Sequence, residues 1–310
     1  MPKTEIPRKK GVKQFKPFRI PKIEIKASPF SRIGDKFILT EPFETQDYVK
    51  GKRGVKMTPH EEDRQILELK TVIDPEGGGD YKELQGAIDA GFKNIFLKKG
   101  TYVSTKNMVL PDDTTLVGEN WEDVILDLGI YNITVGTDNI IENLTIDWDV
   151  NSAVPVIGGN KDNLIVSHCK LNYTGASLAA GGVGSIAAQY TGDNIIIEKC
   201  ELNCQGTVIN LGGDSSWIIN NKVNTGAIAN NGDNNYFVDN YVEHDGLQLV
   251  TSSGLNWTCR GNYIKNASAT TGISNTGNYS KIIGNYIEGF TTRGIFDQAD
   301  KGSKIINNTI

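Results

Sequence analysis

The chain has 310 residues, a formal net charge of −5, 34 glycines and only 8% aromatic residues. This composition suits one elongated domain with an extension, and no apolar run approaches the roughly 18 residues that a membrane-spanning helix needs. The four cysteines, at positions 169, 200, 204 and 259, show neither the density of a disulfide scaffold nor the spacing of a metal site. We therefore expect free, mostly buried thiols, no metal and no cofactor.

The first 26 residues form a basic arm with nine Lys or Arg against two Glu. Several prolines interrupt it, and apolar and charged residues alternate over 20–26, which favours an extended peptide that pairs with the surface of a partner. A disordered, solvated tail and a nucleic-acid contact are the alternatives, and the acidic remainder of the chain disfavours the second. No apolar segment follows Met1, so no signal peptide is predicted.

Two capping boxes predict helices after the arm. Thr58 and Glu61 bracket a Pro at the first helical position and predict a helix over 59–70. Asp80 and Glu83, with Gly91 as the C-cap, predict a second helix over 81–90 that covers the first coil of the following domain. Residues 27–57 fit either a small β-subdomain or packing on a neighbour. The predicted domains are a particle-docking segment, 1–70, and a repeat domain, 72–310.

A short motif recurs down the C-terminal half of the chain. Each copy is Asn or Cys, a variable residue and a branched aliphatic, at spacings of 31, 21, 19, 22, 23 and 23 residues. A period in the twenties is typical of a solenoid. Short β-branched segments bounded by Gly, Asn and Asp indicate strands, so we predict a parallel β-helix in which the Asn residues form an amide ladder. The copies are Cys169-Lys170-Leu171, Cys200-Glu201-Leu202, Asn221-Lys222-Val223, Asn240-Tyr241-Val242, Asn262-Tyr263-Ile264, Asn285-Tyr286-Ile287 and Asn308-Thr309-Ile310.

The repeat over 194–203 and the entry segments 77–85 and 100–102 resemble the pectate-lyase-like superfamily of right-handed β-helices, which includes many phage tailspikes. The resemblance covers about residues 72–310. It implies an all-β fold, a right-handed single-stranded parallel β-helix preceded by an extended N-terminal arm and short capping helices. It also implies a homotrimer. The chain stops in the middle of a repeat, so we expect either that another chain covers this end or that the sequence continues.

Candidate catalytic residues lie in one column of the repeat. Glu243, Lys265 and Glu288 occupy the same position in successive coils, so the two glutamates lie two rungs apart, about 10 Å. They fit either an acid–base pair or an exposed ladder of opposite charges. Asp245, next to His244, is a third candidate, because His titrates near neutral pH, although Asp-Gly is also a simple turn signal.

Candidate binding residues lie in the neighbouring column. Tyr241, Tyr263 and Tyr286 take the variable position of three successive copies and predict an outward-facing aromatic strip. Such a strip suits sugar rings or a subunit contact, and Tyr is also simply a good strand former. Arg293, at a later strand, is a further binding candidate.

The function that these features favour is a virion structural protein of the tailspike or tail-fibre type. Its N-terminal segment would dock on other virion proteins, and its β-helix would bind host-surface polysaccharide. The alternatives are a polysaccharide lyase or hydrolase, and a purely architectural capsid or tail protein.

Overall fold

The computed structural model describes residues 30–33, 36–39, 70–149, 155–173, 188–203, 207–224, 226–243, 248–265 and 270–310. The chain divides into two units, residues 1–65 and 66–310. In the first unit, β1 (Phe30–Ile33) and β2 (Lys36–Leu39) pair as an antiparallel hairpin. The basic arm and the predicted helix over 59–70, apart from Lys70, lie outside the described residues.

The second unit begins with a strand and one short helix, α1 (Leu84–Asp89), whose apolar residues are buried in the main core. It starts later than predicted because Asp80 does not cap it: the Asp80 carboxylate accepts a hydrogen bond from the backbone N–H of Val72. The helix ends at Asp89 with Ala90 as its C-cap, one residue earlier than predicted, and Gly91 follows with a φ of +82°.

The remainder is a right-handed parallel β-helix, as predicted, built from three parallel sheets that run the length of the unit. Each full coil contributes one strand to each sheet. Sheet 1 contains β3 (Thr71–Ile73), β4 (Asn94–Leu97), β7 (Thr115–Gly118), β10 (Ile140–Glu142), β13 (Ile165–Ser167), β16 (Ile196–Glu198), β19 (Trp217–Ile219), β22 (Tyr236–Val238), β25 (Thr258–Arg260), β28 (Lys281–Ile283) and β31 (Lys304–Ile306). Sheet 2 contains β5 (Gly100–Val103), β8 (Val124–Gly129), β11 (Thr145–Trp148), β14 (Lys170–Tyr173), β17 (Glu201–Asn203), β20 (Lys222–Val223), β23 (Tyr241–Glu243), β26 (Tyr263–Lys265) and β29 (Tyr286–Glu288). Sheet 3 contains β6 (Met108–Val109), β9 (Ile133–Thr134), β12 (Ile157–Gly159), β15 (Ala188–Tyr190), β18 (Thr207–Leu211), β21 (Ala227–Asn230), β24 (Gln248–Ser252), β27 (Thr271–Asn275) and β30 (Arg293–Asp297).

The bend between sheets 1 and 2 is held by the repeated Asn. In each coil a residue with positive φ, such as Asp239 at +55°, precedes the ladder residue. Asn262 is typical: its Nδ2 donates to the carbonyl of Phe237 at 3.0 Å, and its Oδ1 accepts the backbone N–H of Asn240 at 2.9 Å. The amide thus satisfies backbone groups that a bend would leave unpaired in the core. Cys200 occupies the same slot and is buried.

The bend between sheets 3 and 1 depends on close backbone stacking. Five glycines, at positions 192, 213, 232, 254 and 277, lie over one another in successive coils. A Cβ added to Gly232 would lie 1.9 Å from the carbonyl oxygen of Gly213. Only a residue without a side chain fits, so this ladder sets how closely the coils stack at this bend.

Candidate functional site

The outer face of sheet 2 carries most of the predicted site residues. Along most of its strands, residues that point inward are buried and those between them are half-buried or exposed, as in β23, where Val242 is buried between Tyr241 and Glu243. The parallel register aligns the outward residues of successive coils into two columns. We call this surface the sheet 2 face.

Three tyrosines form a continuous stack in one column of the sheet 2 face. The ring centroids of Tyr241 and Tyr263 are 5.3 Å apart with an interplanar angle of 7°, and those of Tyr263 and Tyr286 are 5.0 Å apart at 11°. Tyr241 pairs in register with Lys222 of the preceding coil, and Tyr286 forms a bridge with Thr309. The tyrosines therefore present a rigid aromatic strip with a polar residue at each end.

The neighbouring column pairs carboxylates with the tyrosine hydroxyls. The hydroxyl of Tyr241 donates to Glu243 on the same strand, and the hydroxyl of Tyr263 donates to Glu288 on the next coil. Lys265 lies between the two glutamates in register, and its Nζ is 3.3 Å from Glu243. The column is therefore a ladder of alternating charge that is also tied to the aromatic stack.

These contacts shift the acid–base behaviour of the cluster. The hydrogen bond to Glu243 raises the pKa of Tyr241 to about 12, and the bond to Glu288 raises the pKa of Tyr263 to about 12. The hydrogen bond from Tyr241 lowers the pKa of Glu243, and the hydrogen bond and positive charge of Lys265 lower it further. A general acid near neutral pH needs a raised carboxyl pKa, so Glu243 has the environment of a fixed anion rather than of a proton donor.

Of the other predicted site residues, only Arg293 is described, and it lies on a different sheet. Asp245 and His244 lie outside the described residues. Arg293 belongs to β30 of sheet 3, where its guanidinium lies 4.1 Å from the ring centroid of Phe296. Among the described residues, no group of three His, Cys, Asp or Glu side chains is placed to hold a metal ion.

A groove of about 400 Å³ at the other end of the sheet 2 face was missed by sequence reasoning. Trp121, from the turn before β8, lines it together with the outward residues Asp147, Lys170 and Glu201. The hydroxyl of Thr145 donates to the carbonyl of Trp121 at 2.5 Å and so ties the turn to the sheet. The strand residues follow the repeat and were open to prediction, whereas Trp121 lies in a turn with no repeated counterpart.

A ladder of amides joins the groove to the tyrosine stack. Asn172 donates to Asp147 at 3.0 Å, Asn203 donates to Asn172 at 2.8 Å, and Asn224 donates to Asn203 at 2.5 Å. These residues stand in the same column as Glu243, so groove, amide ladder and tyrosine stack form one continuous polar surface parallel to the solenoid axis.

The fold is similar to that of solved right-handed parallel β-helix proteins. The Dettilon tailspike protein matches with a TM-score of 0.51 and 15% identity, over 71% of this chain and 51% of its own. Carrot pectin methylesterase matches with a TM-score of 0.47 and 12% identity, over 77% of this chain and 82% of its own. The A-module of the mannuronan C-5 epimerase from Azotobacter vinelandii matches with a TM-score of 0.44 and 12% identity, over 79% of this chain and 98% of its own. The chain spans about half the length of the tailspike, and at these identities the likeness shows the fold alone.

The sequence itself matches no protein-family model and no curated protein. The predicted resemblance to right-handed β-helix proteins, a phage tailspike among them, is nevertheless confirmed at the level of the fold. In the part of the chain that the structure describes, no helix is long and apolar enough to span a membrane.

Proposed function

We propose that this chain is a tailspike-type virion protein that attaches to host-surface polysaccharide through the sheet 2 face. The observation that carries the proposal is the tyrosine stack, with hydroxyls held by Glu243 and Glu288. Aromatic rings with a polar edge suit ligands that are apolar on one side and hydroxylated on the other, as sugars are. The similarity in fold to a tailspike supports a virion location.

The rest of the assembly belongs to the same proposal. The basic arm and the segment up to residue 70 would dock on other virion proteins, and the solenoid would project as a homotrimer. The support is the arm's sequence pattern, with its prolines and alternating charges, together with the family resemblance. Deletion of residues 1–70 should abolish incorporation into particles while the solenoid keeps its β-rich circular dichroism spectrum.

The attachment proposal is tested by removing the aromatic strip. The triple variant Tyr241→Ala, Tyr263→Ala, Tyr286→Ala should lose binding to an array of bacterial surface polysaccharides by at least about tenfold, in line with the loss of central aromatic anchors. Tyr279→Ala is the matched control, because Tyr279 is also exposed and lies outside the sheet 2 face. Equal binding by the triple variant and the control would contradict the proposal.

A second candidate function, polysaccharide cleavage, is favoured by the groove. It places the carboxylates of Asp147 and Glu201 on one concave surface, and paired carboxylates are what glycosidases need. Incubation with host-envelope polysaccharide, followed by size-exclusion chromatography and ultraviolet absorbance, tests it. Shortened chains that disappear in Asp147→Asn or Glu201→Gln would establish hydrolysis, and a rise in absorbance would establish a lyase. If the protein neither binds nor cleaves the polysaccharide, the architectural alternative remains.

A further inference from the structure

The charge of the sheet 2 face restricts what it can bind. Among the described strand residues that point outward from this sheet, carboxylates outnumber lysines by five to three, giving a formal charge of −2. The carboxylates are Asp127, Asp147, Glu201, Glu243 and Glu288, and the lysines are Lys170, Lys222 and Lys265. Glu122 adds a further carboxylate at the groove.

Two of the three lysines are already paired with carboxylates of this surface, and the third, Lys170, lies in the groove. Lys265 lies 3.3 Å from Glu243, and Lys222 lies 3.9 Å from Glu201. Neighbouring coils are about 4.8 Å apart, and the screening length at physiological salt is about 8 Å. Most of the carboxylates are two coils apart, about 10 Å, so a charged group bound between two of them lies within the screening length of both. Lys222 and Lys265 are not available as free cations.

The polar groups of the face match hydroxyls and amines rather than anions. The amides of Asn172, Asn203 and Asn224 offer both donors and acceptors, whereas ionised carboxylates are acceptors only. At the two ends, Trp121 and the tyrosine stack supply apolar surface. A chain of hydroxyl-bearing rings laid along the solenoid axis would meet these groups in succession.

We propose that the sheet 2 face selects a polysaccharide without net negative charge, built from neutral or amino sugars, with the groove at one end and the tyrosine stack at the other end of its binding track. This inference rests on the proposed attachment function. Uronate or phosphate groups would meet the surplus of carboxylates and be repelled, while hydroxyls would be accepted and ammonium groups attracted.

The test is an array that carries neutral, amino-sugar and anionic bacterial glycans, probed with the full chain at low and at physiological salt. Neutral or amino-sugar glycans should bind, with anionic glycans of similar length weaker by at least about tenfold. Binding to amino-sugar glycans should weaken as salt rises, because screening removes the attraction, and binding to neutral glycans should stay constant.

Two double variants with the same change of charge distinguish an effect of the sheet 2 face from an effect of the protein's net charge. Glu201→Gln with Glu243→Gln should gain binding to anionic glycans and lose it to amino-sugar glycans. Glu142→Gln with Glu198→Gln makes the same change of charge on the outer side of sheet 1. This control should change neither the binding of anionic glycans nor the binding of amino-sugar glycans.

Each outcome has one meaning. Preferred binding of anionic glycans by the unmodified chain would overturn the inference and leave attachment standing. Equal responses of the two double variants would also overturn it. The absence of binding to any glycan would overturn the attachment function itself, and the inference with it.

Discussion

The amide ladder makes a quantitative prediction at Asn262. Asn262→Ala removes the donor to the carbonyl of Phe237 and the acceptor of the Asn240 backbone N–H, and both groups are buried. A buried polar group left without a partner costs about 1–3 kcal/mol, so the free energy of unfolding should fall by about 2–6 kcal/mol.

The control is Asn308→Ala, the same substitution at a half-buried residue of the ladder. Asn308 makes the matching bonds, to the carbonyl of Ile282 at 2.8 Å and from the backbone N–H of Asn285 at 2.9 Å. Asn308 itself is half-buried, so its removal opens these groups to water, and Asn308→Ala should cost only about 1 kcal/mol, the net value of an ordinary hydrogen bond. Both variants lose the two backbone bonds and the bond from the side chain of the preceding Asn. Asn262→Ala also loses the onward bond to Asn285, so the two variants differ in burial and in this one ladder contact.

The assay is equilibrium urea unfolding of the full chain, followed by far-ultraviolet circular dichroism and checked by refolding. A long solenoid can unfold in stages, so the variants are compared by transition midpoint together with the slope, which should stay unchanged if only stability differs. If Asn262→Ala shifts the midpoint no more than Asn308→Ala, the ladder does not act through buried hydrogen bonds and this reasoning is wrong.

Three further predictions follow from the same structure. Gly232→Ala should prevent soluble expression or lower the melting temperature strongly, because its Cβ would lie 1.9 Å from a carbonyl oxygen, whereas Gly86→Ala, whose nearest neighbour is at 3.6 Å, should be tolerated; equal melting temperatures would refute the close-packing argument. The hydrogen bond to Glu288 raises the pKa of Tyr263 to about 12. This contact should therefore stabilise the fold fully below about pH 10, the ordinary tyrosine value, and its contribution should be lost as the pH rises towards 12. In Glu288→Gln, tyrosinate absorbance should show one tyrosine titrating at a lower pH, and an unchanged titration would count against the bond. Burial raises the pKa of Cys259 to about 12, so a thiol reagent should modify it only as fast as the protein unfolds, and rapid labelling at full stability would contradict its burial.

The periodic part of the site was predictable because a solenoid converts sequence spacing into register. Once the period is known, the residues at equivalent positions must stack, and Tyr241, Tyr263 and Tyr286 do so. The same logic aligns Glu243 with Glu288 across Lys265. What the period leaves undetermined is the side-chain pairing: Tyr241 bonds along its own strand, whereas Tyr263 reaches to the next coil.

Features that break the repeat were out of reach of sequence reasoning. Trp121 lies in a turn with no equivalent in other coils, so no column indicated that it would line a groove. Asp80 was misassigned for a related reason. Its spacing to Glu83 fits a capping box, but the bridge between Ile73 and Tyr81 commits this segment to the first strand, so its carboxylate turns to Val72 instead.

The requirement for a proton donor separates the two ends of the sheet 2 face. A glycoside hydrolase needs one carboxyl group that is protonated near neutral pH, and the contacts of Glu243 with Tyr241 and Lys265 lower its pKa instead. Those contacts fix the aromatic stack, which is what an attachment surface needs. Cleavage at this end would require Glu243 to give up both partners. The groove offers two other carboxylates of this face, Asp147 and Glu201, which accept hydrogen bonds from Asn172 and Asn224. If these groups cleave a bound glycan, loss of Tyr263 should weaken binding without abolishing cleavage.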